Sequence, residues 1–374
     1  MTTLQEQEIL KKTPLYDRHV SLQGKIVNFS GWALPVYYSG IIAEHQWVRG
    51  SCGFFDVSHL GEVHVKGPGA FEFLQQRLTN DLKKGQDGRI LYNLLCNEQG
   101  RTLDDILVYQ EAPDDYYLIV NASNIAKDLE ALRRYLPDSV TMTDNSEETA
   151  CIAVQGPKAE AVLEKLFGFR LKDMAYYSFK GEKFSNDPVW VSRTGYTGED
   201  GFEIFCKNEL APKIWDRLAV DGRKEGALPA GLGARNTLRL EAGNVLYGHD
   251  LDETTTPLEA GLRFVVSFDK GGFVGRDMLL VQKEAGLQKR LVGFKMKDKS
   301  VARENYPVLK DGKKIGHVTS GSFAPTVGGN IGMAYVTTGH EAIGNLLDIE
   351  IHGRLAQAEV VKRPFVPLKH RNKK

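Results

Sequence analysis

Residues 62–70, Glu-Val-His-Val-Lys-Gly-Pro-Gly-Ala, and residues 151–159, Cys-Ile-Ala-Val-Gln-Gly-Pro-Lys-Ala, are two copies of one pattern. In each copy a strand-like run precedes a Gly-Pro pair, and apolar residues at helical spacing follow it. This order predicts a strand, a tight turn and an amphipathic helix, because proline is well tolerated near the first turn of a helix. The chain therefore contains an internal repeat.

The segments that follow each copy extend the repeat. Each copy is followed by two predicted strands and a predicted helix, at residues 105–109, 116–120 and 124–136 and at residues 189–193, 202–205 and 211–218. Strand, helix, strand, strand, helix is most of a ferredoxin-like split βαβ unit. We therefore predict an α+β fold with two ferredoxin-like subdomains.

The last part of the chain has a different pattern. Its short strand-like runs are residues 290–296, 314–319, 331–336, 346–351 and 356–361. Evenly spaced short strands with glycine-containing turns between them predict a small all-β barrel. We place the domain boundary between residues 285 and 286, so that residues 1–285 form the α+β region and residues 286–374 form the C-terminal β-barrel.

The composition excludes several classes of protein. Lys plus Arg equals Asp plus Glu, 48 against 48, so no overall positive field favours nucleic acid. No apolar stretch approaches the ~20 residues of a membrane span, and the first residues lack a signal-peptide core. The four cysteines have neither disulfide nor zinc spacing, and Cys151 and Cys206 lie in apolar runs typical of a core. We expect a cytoplasmic protein that binds neither nucleic acid nor membrane.

Basic residues concentrate at the end of the chain, from Lys362 to Lys374. Such a run is most often a solvated tail, and the alternative is a docking patch for an acidic partner. Residues 231–236 contain only two glycines of a dinucleotide fingerprint, and no phosphate-binding loop, metal-ligand pair of histidines or Gly-x-Ser-x-Gly run is present. His59 and His249 lie near Asp56 and Asp250, and we expect both to be satisfied structural histidines.

Six polar and glycine-containing stretches are too specific for ordinary loops: residues 28–38, 55–62, 91–100, 103–105, 193–203 and 234–243. In this order they resemble the aminomethyltransferase (T-protein) family of glycine cleavage, and the match runs from Thr13 to Phe365. The resemblance implies a cloverleaf of two ferredoxin-like subdomains and a barrel around a central folate cavity. It also implies transfer of a one-carbon unit from the aminomethyl-lipoyl arm of H-protein to tetrahydrofolate, with release of ammonia, formation of 5,10-methylenetetrahydrofolate and no metal. By analogy we expect a monomer.

The resemblance implies a catalytic role for Asp105, the second aspartate of the pair Asp104-Asp105. In the family this aspartate reaches the reactive nitrogens of the folate. Loss of ammonia develops positive charge on the carbon, and a fixed carboxylate can stabilise that charge and relay a proton. Side chains alternate along a strand, so Asp104 should point away from the cavity. From the residues alone, a cap or a turn at the start of a strand would be the favoured interpretation of the pair.

The resemblance also implies folate contacts for Glu203 and Arg235. A carboxylate can accept hydrogen bonds from a pterin N–H and amino group together, and a guanidinium suits a carboxylate or a pterin oxygen. Asn236 stands where the family usually has aspartate, so a salt bridge made there is absent. From the residues alone, Glu203 would be a solvent-facing strand residue, and Arg235 or Arg239 would pair with Glu241.

Aromatic residues complete the expected folate site. The resemblance implies contacts for Tyr92 and Tyr196, and Tyr176 and Tyr247 fall near family positions, although each tyrosine alone would suit a packed core. His370 aligns with a C-terminal tyrosine of some relatives. Leu60 and Arg101 stand where methionine and glycine are common in the family.

Three other interpretations remain open at this point. A related folate enzyme, such as a sulfonium demethylase or the folate-binding part of a methylglycine dehydrogenase, would keep the same folate residues. A folate-binding accessory protein for iron–sulfur assembly would carry a cysteine where this chain has Phe273, which counts against that class. A plain structural or interaction module would bind no folate.

Overall fold

The structure is a computed structural model that describes residues 9–85 and 88–370. Its α-helices are α1 (Tyr16–Ser21), α2 (Ile41–Gly50), α3 (Ala70–Arg77), α4 (Ile125–Arg133), α5 (Ala159–Phe167), α6 (Ala211–Val220), α7 (Leu232–Glu241) and α8 (Arg276–Ala285). Its strands are β1 (Ile26–Phe29), β2 (Trp32–Pro35), β3 (Cys52–Asp56), β4 (Gly61–Lys66), β5 (Arg89–Cys96), β6 (Thr102–Ala112), β7 (Asp115–Val120), β8 (Thr141–Asp144), β9 (Thr149–Gln155), β10 (Phe179–Phe184), β11 (Asp187–Ser192), β12 (Gly201–Lys207), β13 (Ala227–Pro229), β14 (Lys289–Met296), β15 (Pro307–Lys310), β16 (Lys313–Ala324), β17 (Gly329–Thr337), β18 (Leu346–Ile351) and β19 (Arg354–Val361).

The first repeat unit forms an antiparallel five-stranded sheet in the order β5-β6-β7-β4-β8. The order β6-β7-β4-β8 is that of a ferredoxin-like sheet, and β5 is added at the edge. The predicted hairpin is present, since β6 and β7 pair across residues 112–115. The buried faces of α3 and α4 cover one side of this sheet. The first predicted subdomain is therefore confirmed.

The second unit forms a six-stranded sheet in the order β10-β11-β12-β9-β3-β13. The strand β3 precedes the first unit in the chain, yet it lies between β9 and β13 and pairs with β9 antiparallel and with β13 in parallel. Every residue of β3 is buried. The second ferredoxin-like subdomain thus contains an inserted strand that the repeat pattern did not predict.

The two repeat turns have the same unusual backbone. Gly67 and Gly156 have φ values of +125° and +128°, a region that favours glycine. A Cβ at Gly67 would lie 2.3 Å from the carbonyl oxygen of Ser139, and a Cβ at Gly156 would lie 2.4 Å from that of Ser51. Each turn leads into a helix three residues later. The glycines of the repeat are therefore required both by conformation and by close backbone packing.

The two sheets pack face to face, with the repeat helices on their outer sides. Phe55 and Cys151 from one sheet meet Ile90, Tyr109 and Ile119 from the other in a shared buried layer. On the outer side of the second sheet, α5 and α6 close a core around Trp215. All four cysteines are buried and free, so the predicted core positions of Cys151 and Cys206 are confirmed. This shared layer fixes the two units relative to each other.

The C-terminal part is a closed barrel in the order β14-β17-β16-β15-β18-β19. The five predicted runs are confirmed as strands, and the sixth strand, β15, was not predicted. The predicted barrel and the cloverleaf of three parts are therefore both present. The helix α8 ends at Ala285 and β14 begins at Lys289. The exact boundary between residues 285 and 286 stays a prediction.

The basic end of the chain is not one surface. Arg363 is partly buried and donates to the carbonyl oxygens of Ala260 and Leu291 at 3.3 and 3.2 Å, so it is held against the fold and is not part of a solvated tail. Lys369 pairs with Glu199 at 2.9 Å. Residues 371–374 lie outside the described part of the chain. Across residues 9–85 and 88–370, no helix has the length and apolar character to cross a membrane.

Candidate active site

A cavity of about 1240 Å³ lies where the two sheets and the barrel meet. Its wall is formed by β5 and β6 from the first unit, by the 194–205 region and α7 from the second, and by β14 and the segment after β19 from the barrel. All six residues predicted for the site line it: Tyr92, Asp105, Tyr196, Glu203, Arg235 and His370. The structure therefore brings together side chains that lie up to 278 positions apart (370 − 92) in the chain.

Asp105 projects into the cavity from β6, and its neighbour Asp104 points to the other face of the strand, as strand alternation predicts. The Tyr92 hydroxyl donates to Oδ2 of Asp105 at 2.9 Å, and Nδ2 of Asn121 donates to Oδ1 at 3.0 Å. The carboxyl group of Asp105 is thus held from two sides.

The environment of Asp105 favours its protonated form. Burial, and then the negative charge of Asp104, raise the pKa of the Asp105 carboxyl to about 7, although hydrogen bonds from Tyr92 and Asn121 oppose the rise. A carboxyl group with a pKa near neutrality is well matched to exchange a proton at physiological pH. This perturbed acid in a cavity is the strongest chemical signal in the molecule.

Glu203 reaches the cavity from β12 and is only 6% exposed. The Thr194 hydroxyl donates to Oε2 of Glu203, and the Thr194 hydroxyl is in turn 2.8 Å from that of Ser192. The interpretation of Glu203 as a solvent-facing strand residue is wrong. A buried carboxylate with a single side-chain donor keeps acceptor capacity for a ligand.

Arg235 extends from α7 into the cavity above the ring of Tyr196, with 4.9 Å from the guanidinium carbon to the ring centroid. The Tyr196 hydroxyl donates to the carbonyl oxygen of Val245, so the ring is fixed. Among the described residues, Nη1 of Arg235 is buried and has no hydrogen-bond acceptor. A buried donor without an acceptor is costly, and at a cavity wall it points to a ligand.

His59 is a cavity residue that the sequence interpretation assigned wrongly. We expected a satisfied structural histidine near Asp56, but Asp56 instead accepts from Thr13, His19 and the backbone N–H of Ser58. Nδ1 of His59 is buried and has no partner within the described part of the chain. Burial, and then the charge of Arg235, lower the pKa of His59 to about 4, so its ring is neutral at physiological pH.

The remaining aromatic residues close the wall. His370 is 8% exposed, and its ring stacks on that of Tyr176 with centroids 4.1 Å apart. Tyr176 and Tyr247 line the cavity as well. His249, by contrast, lies outside the lining and pairs with Glu304 at 2.8 Å, with both side chains more than 40% exposed. His370 therefore lines the cavity, and its contact with a folate stays a prediction.

Comparisons with known proteins match this arrangement over almost the whole chain. Residues 15–270 match the GCVT N-terminal domain, and residues 289–367 match the glycine cleavage T-protein C-terminal barrel domain. The chain belongs to the glycine cleavage T-protein family. It is 46% identical to an aminomethyltransferase of Thermoanaerobacter sp. (strain X514) over 362 residues, which cover 95% of this chain and 97% of the relative.

Two further relatives of the T-protein family support the assignment. An aminomethyltransferase of Caldanaerobacter subterraneus subsp. tengcongensis is 48% identical over 358 residues, covering 95% of this chain and 96% of the relative. The crystal structure of glycine cleavage system aminomethyltransferase T from Bartonella henselae superposes with a TM-score of 0.90 at 32% identity, covering 96% of this chain and 99% of that one. The fold predicted from the family resemblance is confirmed.

Two of the departures from the T-protein family pattern, Asn236 and Arg101, lie outside the cavity lining. Asn236 is exposed and accepts from Nε of Arg239 at 2.9 Å. Arg101 donates to the carbonyl oxygen of Thr254 at 2.9 Å and does not line the cavity. Leu60 does line it. In residues 9–85 and 88–370, no cluster of three or more His, Cys, Asp or Glu side chains is arranged to hold a metal ion.

Asn121 is the residue at Asp105 that sequence reasoning missed. It follows β7 in the run Val-Asn-Ala-Ser-Asn at residues 120–124, and its side-chain amide contacts both Asp104 and Asp105. The polar run at the end of an apolar strand could have identified Asn121, because side chains at a strand end can orient a neighbouring site.

Proposed function

We propose that this chain transfers the one-carbon unit of an aminomethyl-lipoyl group on H-protein to tetrahydrofolate, with release of ammonia and formation of 5,10-methylenetetrahydrofolate. The observation that carries the proposal is the Asp105 carboxyl group, held by Tyr92 and Asn121 at the wall of a cavity shared by three parts of the molecule. The family and the names of the relatives support the same reaction.

The cavity residues fit a folate. A pterin carries an N–H and an amino group side by side, and Glu203 has acceptor capacity for both. The unpaired Nη1 of Arg235 suits a pterin or carboxylate oxygen. The rings of Tyr92, Tyr196 and His370 offer faces on which a flat ligand can pack. Tetrahydrofolate would supply the nitrogens that accept the carbon.

We assign Asp105 the role of the acid–base group. Its ionised carboxylate, positioned by Tyr92 and Asn121, accepts a proton from a folate nitrogen as the first bond to carbon forms and passes it to the departing amine, which leaves as ammonia. The second folate nitrogen then bonds to the carbon as the carbon–sulfur bond breaks, and its proton goes to the lipoyl sulfur, which leaves as a thiol. The negative charge of Asp105 also stabilises cationic character on the carbon as ammonia departs. Glu203 and Arg235 bind and orient the ligand, so that the reacting atoms are held together rather than meeting by diffusion.

Lipoylated H-protein is the proposed donor, and the reaction of the proposed enzyme requires no metal. The monomeric state and the cytoplasmic location remain predictions from the sequence, as does the division of the chain between residues 285 and 286.

The test is turnover of aminomethylated, lipoyl-loaded H-protein with tetrahydrofolate, with ammonia and methylenetetrahydrofolate measured together. Enzyme-dependent formation of both in equal amounts is the expected result. Folate binding without either product would rule out the proposed aminomethyl transfer. Sulfonium or N-methyl donors would then be assayed with the same protein. Absence of folate binding would remove the folate site itself.

A further inference from the structure

A second pair of carboxyl groups lies behind Asp105, on the side away from the cavity. Asp104 is on β6 and Asp128 is on α4, and their exposures are 0% and 1%. Neither residue lines the cavity. Two acids buried in contact with each other cannot both be ionised without a large electrostatic cost, so the location of the proton must follow from their partners.

Asp104 has the partners of an anion. Its Oδ2 accepts from the backbone N–H of Asn121 at 2.9 Å, and its Oδ1 accepts from the side-chain amides of Asn121 at 2.8 Å and Asn124 at 2.6 Å. These three donors are fixed by the turn between β7 and α4. Hydrogen bonds to both oxygens stabilise the ionised form of Asp104.

Asp128 has the opposite environment. Both of its carboxyl oxygens are buried, and within the described residues neither accepts a hydrogen bond. The adjacent cation, Lys127, is engaged by the hydroxyl of Tyr247 at 2.7 Å and by Glu253 at 3.3 Å. An ionised Asp128 would therefore be a buried charge without a partner, whereas a protonated Asp128 can donate its O–H to Asp104.

The electrostatics agree with this geometry. Burial, then the charge of Asp104 and a hydrogen bond to it, raise the pKa of Asp128 to about 11. Asp128 is thus neutral across the physiological range, and the pair carries a single negative charge on Asp104.

The pair is connected to the cavity through one amide group. Nδ2 of Asn121, which donates to Asp104, also lies 3.0 Å from Oδ1 and 3.1 Å from the carbonyl oxygen of Asp105. The charge of Asp104 also raises the pKa of Asp105, after burial. The other titratable groups that interact with Asp105 are Tyr92 on β5, Tyr196 in the second unit and Asp128 on α4.

We propose that Asp128 is a positioning residue for the reaction: as a neutral acid it donates to Asp104, and Asp104 in turn orients the Asn121 amide that holds Asp105. The catalytic part of this inference rests on the proposed function. The protonation of Asp128 does not, since it follows from burial and hydrogen bonding alone.

The first test compares Asp128→Asn with Asp128→Leu in the full-length protein. Asn keeps a donor toward Asp104 and keeps the pair at one negative charge, so kcat and the acidic limb of the pH profile should match those of the wild type. Leu removes the donor, and kcat should fall by roughly 10–100-fold with little change in the KM for folate, because a loosened Asp105 is misplaced.

Two outcomes would overturn the proposal. If Asp128→Leu has the kcat and the pH profile of the wild type, Asp128 has no positioning role. A shift of the acidic limb to lower pH in Asp128→Asn would show that a negative charge had been removed, and hence that Asp128 is ionised in the wild type. If Asp128→Leu does not fold, the pH profile of Asp128→Asn still shows whether Asp128 is ionised in the wild type.

A second measurement needs no turnover. The infrared difference spectrum between wild type and Asp128→Asn should contain the C=O band of one buried protonated carboxyl group, and the band should persist at about pH 9, where Asp105 is ionised. Absence of that band would overturn the protonated state of Asp128. If the band is present but the wild-type protein forms no product, the protonated state of Asp128 is supported and the proposed function is ruled out.

Discussion

Two arginines one turn apart on α7 belong to regions with opposite polar chemistry. Arg239 lies at the joint between α7 and the barrel, which we define by Arg239, Asp250, Ser320, Glu241 and Arg49. Its guanidinium is buried and donates to Asp250 at 2.8 Å and to Ser320 at 2.9 Å. Arg235 faces the cavity, and its buried Nη1 has no acceptor among the described residues. Every guanidinium nitrogen of Arg239 is therefore hydrogen-bonded, whereas at least one nitrogen of Arg235 is not.

This difference separates a structural role from a binding role. Buried polar groups in native proteins are almost always hydrogen-bonded, so an exception needs a reason. At the joint each guanidinium nitrogen of Arg239 donates to an acceptor, and the arrangement connects α7 to the barrel. At the cavity the unpaired atoms of Arg235 and His59 belong to the same wall as Asp105. At a cavity wall, unpaired polar atoms of this kind therefore mark a surface that can meet a ligand.

The largest expected effect is at the cavity. Asp105→Asn should lower turnover by ~10²–10⁴-fold while tetrahydrofolate binding is largely kept, since the amide cannot accept a proton. In the wild type, kcat/KM should rise with pH through about 7 as Asp105 ionises, and this limb should be absent from the variant. The exposed Asp187→Asn is the control. Near-normal turnover in Asp105→Asn would remove Asp105 from the catalytic role.

The next effect is at the joint. Arg239→Met should lower the free energy of unfolding by about 3–5 kcal/mol, because it leaves the carboxylate of Asp250 buried without its cation. Arg235→Met, on the same helix, is the matched control for stability and should change it far less. Urea unfolding of the two variants measures the difference. Equal losses of stability would contradict the assignment of the two arginines to separate roles.

Glu241 makes the joint sensitive to acid. Burial alone would raise its pKa, but hydrogen bonds from His45 and Thr326 and the charge of Arg49 lower it to about 2. A depressed pKa stabilises the folded protein at and above the ordinary pKa of glutamate, and this contribution is lost as the pH falls from about 4.5 towards 2. The contribution of Glu241 to the free energy of unfolding is therefore at most about 3 kcal/mol.

Glu241→Gln should therefore lower stability at neutral pH and weaken its dependence on pH below about 4.5. The measurement is the free energy of unfolding as a function of pH for the variant and the wild type. Glu130→Gln, in an exposed ion pair with Arg134, should leave the profile unchanged. If the free energy of unfolding depends on pH in the same way for Glu241→Gln and the wild type, the Glu241 carboxylate does not contribute to the acid sensitivity of stability.

The smallest expected effect tests Arg235 as a ligand group. Arg235→Met should weaken tetrahydrofolate binding by about 1.5–3 kcal/mol, the usual contribution of a hydrogen bond to a charged group. Arg235→Lys should recover only part of the loss, because an ammonium lacks the planar fork of donors. Titration calorimetry measures both. Unchanged affinity in Arg235→Met would mean that its unpaired nitrogen does not meet the folate.

The parts of the fold that could be predicted are those that depend on short-range sequence patterns. The repeated Gly-Pro turns, with glycines that no other residue could replace at φ near +125°, were sufficient to identify both ferredoxin-like units. The strand β3 could not be predicted, because its neighbours in the sheet are distant in sequence and its pattern has no counterpart in the repeat. The four-residue strand β15 was missed because its pairing is irregular, with a register shift at Val308.

The candidate site shows the same division. The family resemblance was sufficient to place six residues at one cavity, whereas their burial and pairing depend on contacts that the sequence does not reveal. His59 was expected to be a satisfied structural histidine near Asp56, but His19 is the histidine that contacts Asp56, and Nδ1 of His59 has no partner among the described residues. Arg363 was counted with a basic tail, although the fold encloses it. Proximity along the chain was a poor guide to polar partners.

The inserted strand β3 also has a consequence for biosynthesis. Its two neighbours, β9 and β13, are made after it, and roughly 90 residues separate Asp56 from Thr149, which corresponds to about 5–20 s of translation. During that interval a fully buried strand with two phenylalanines has both edges unpaired, a state that invites pairing with other chains. The nascent first half is therefore the segment of this protein with most need of protection on the ribosome.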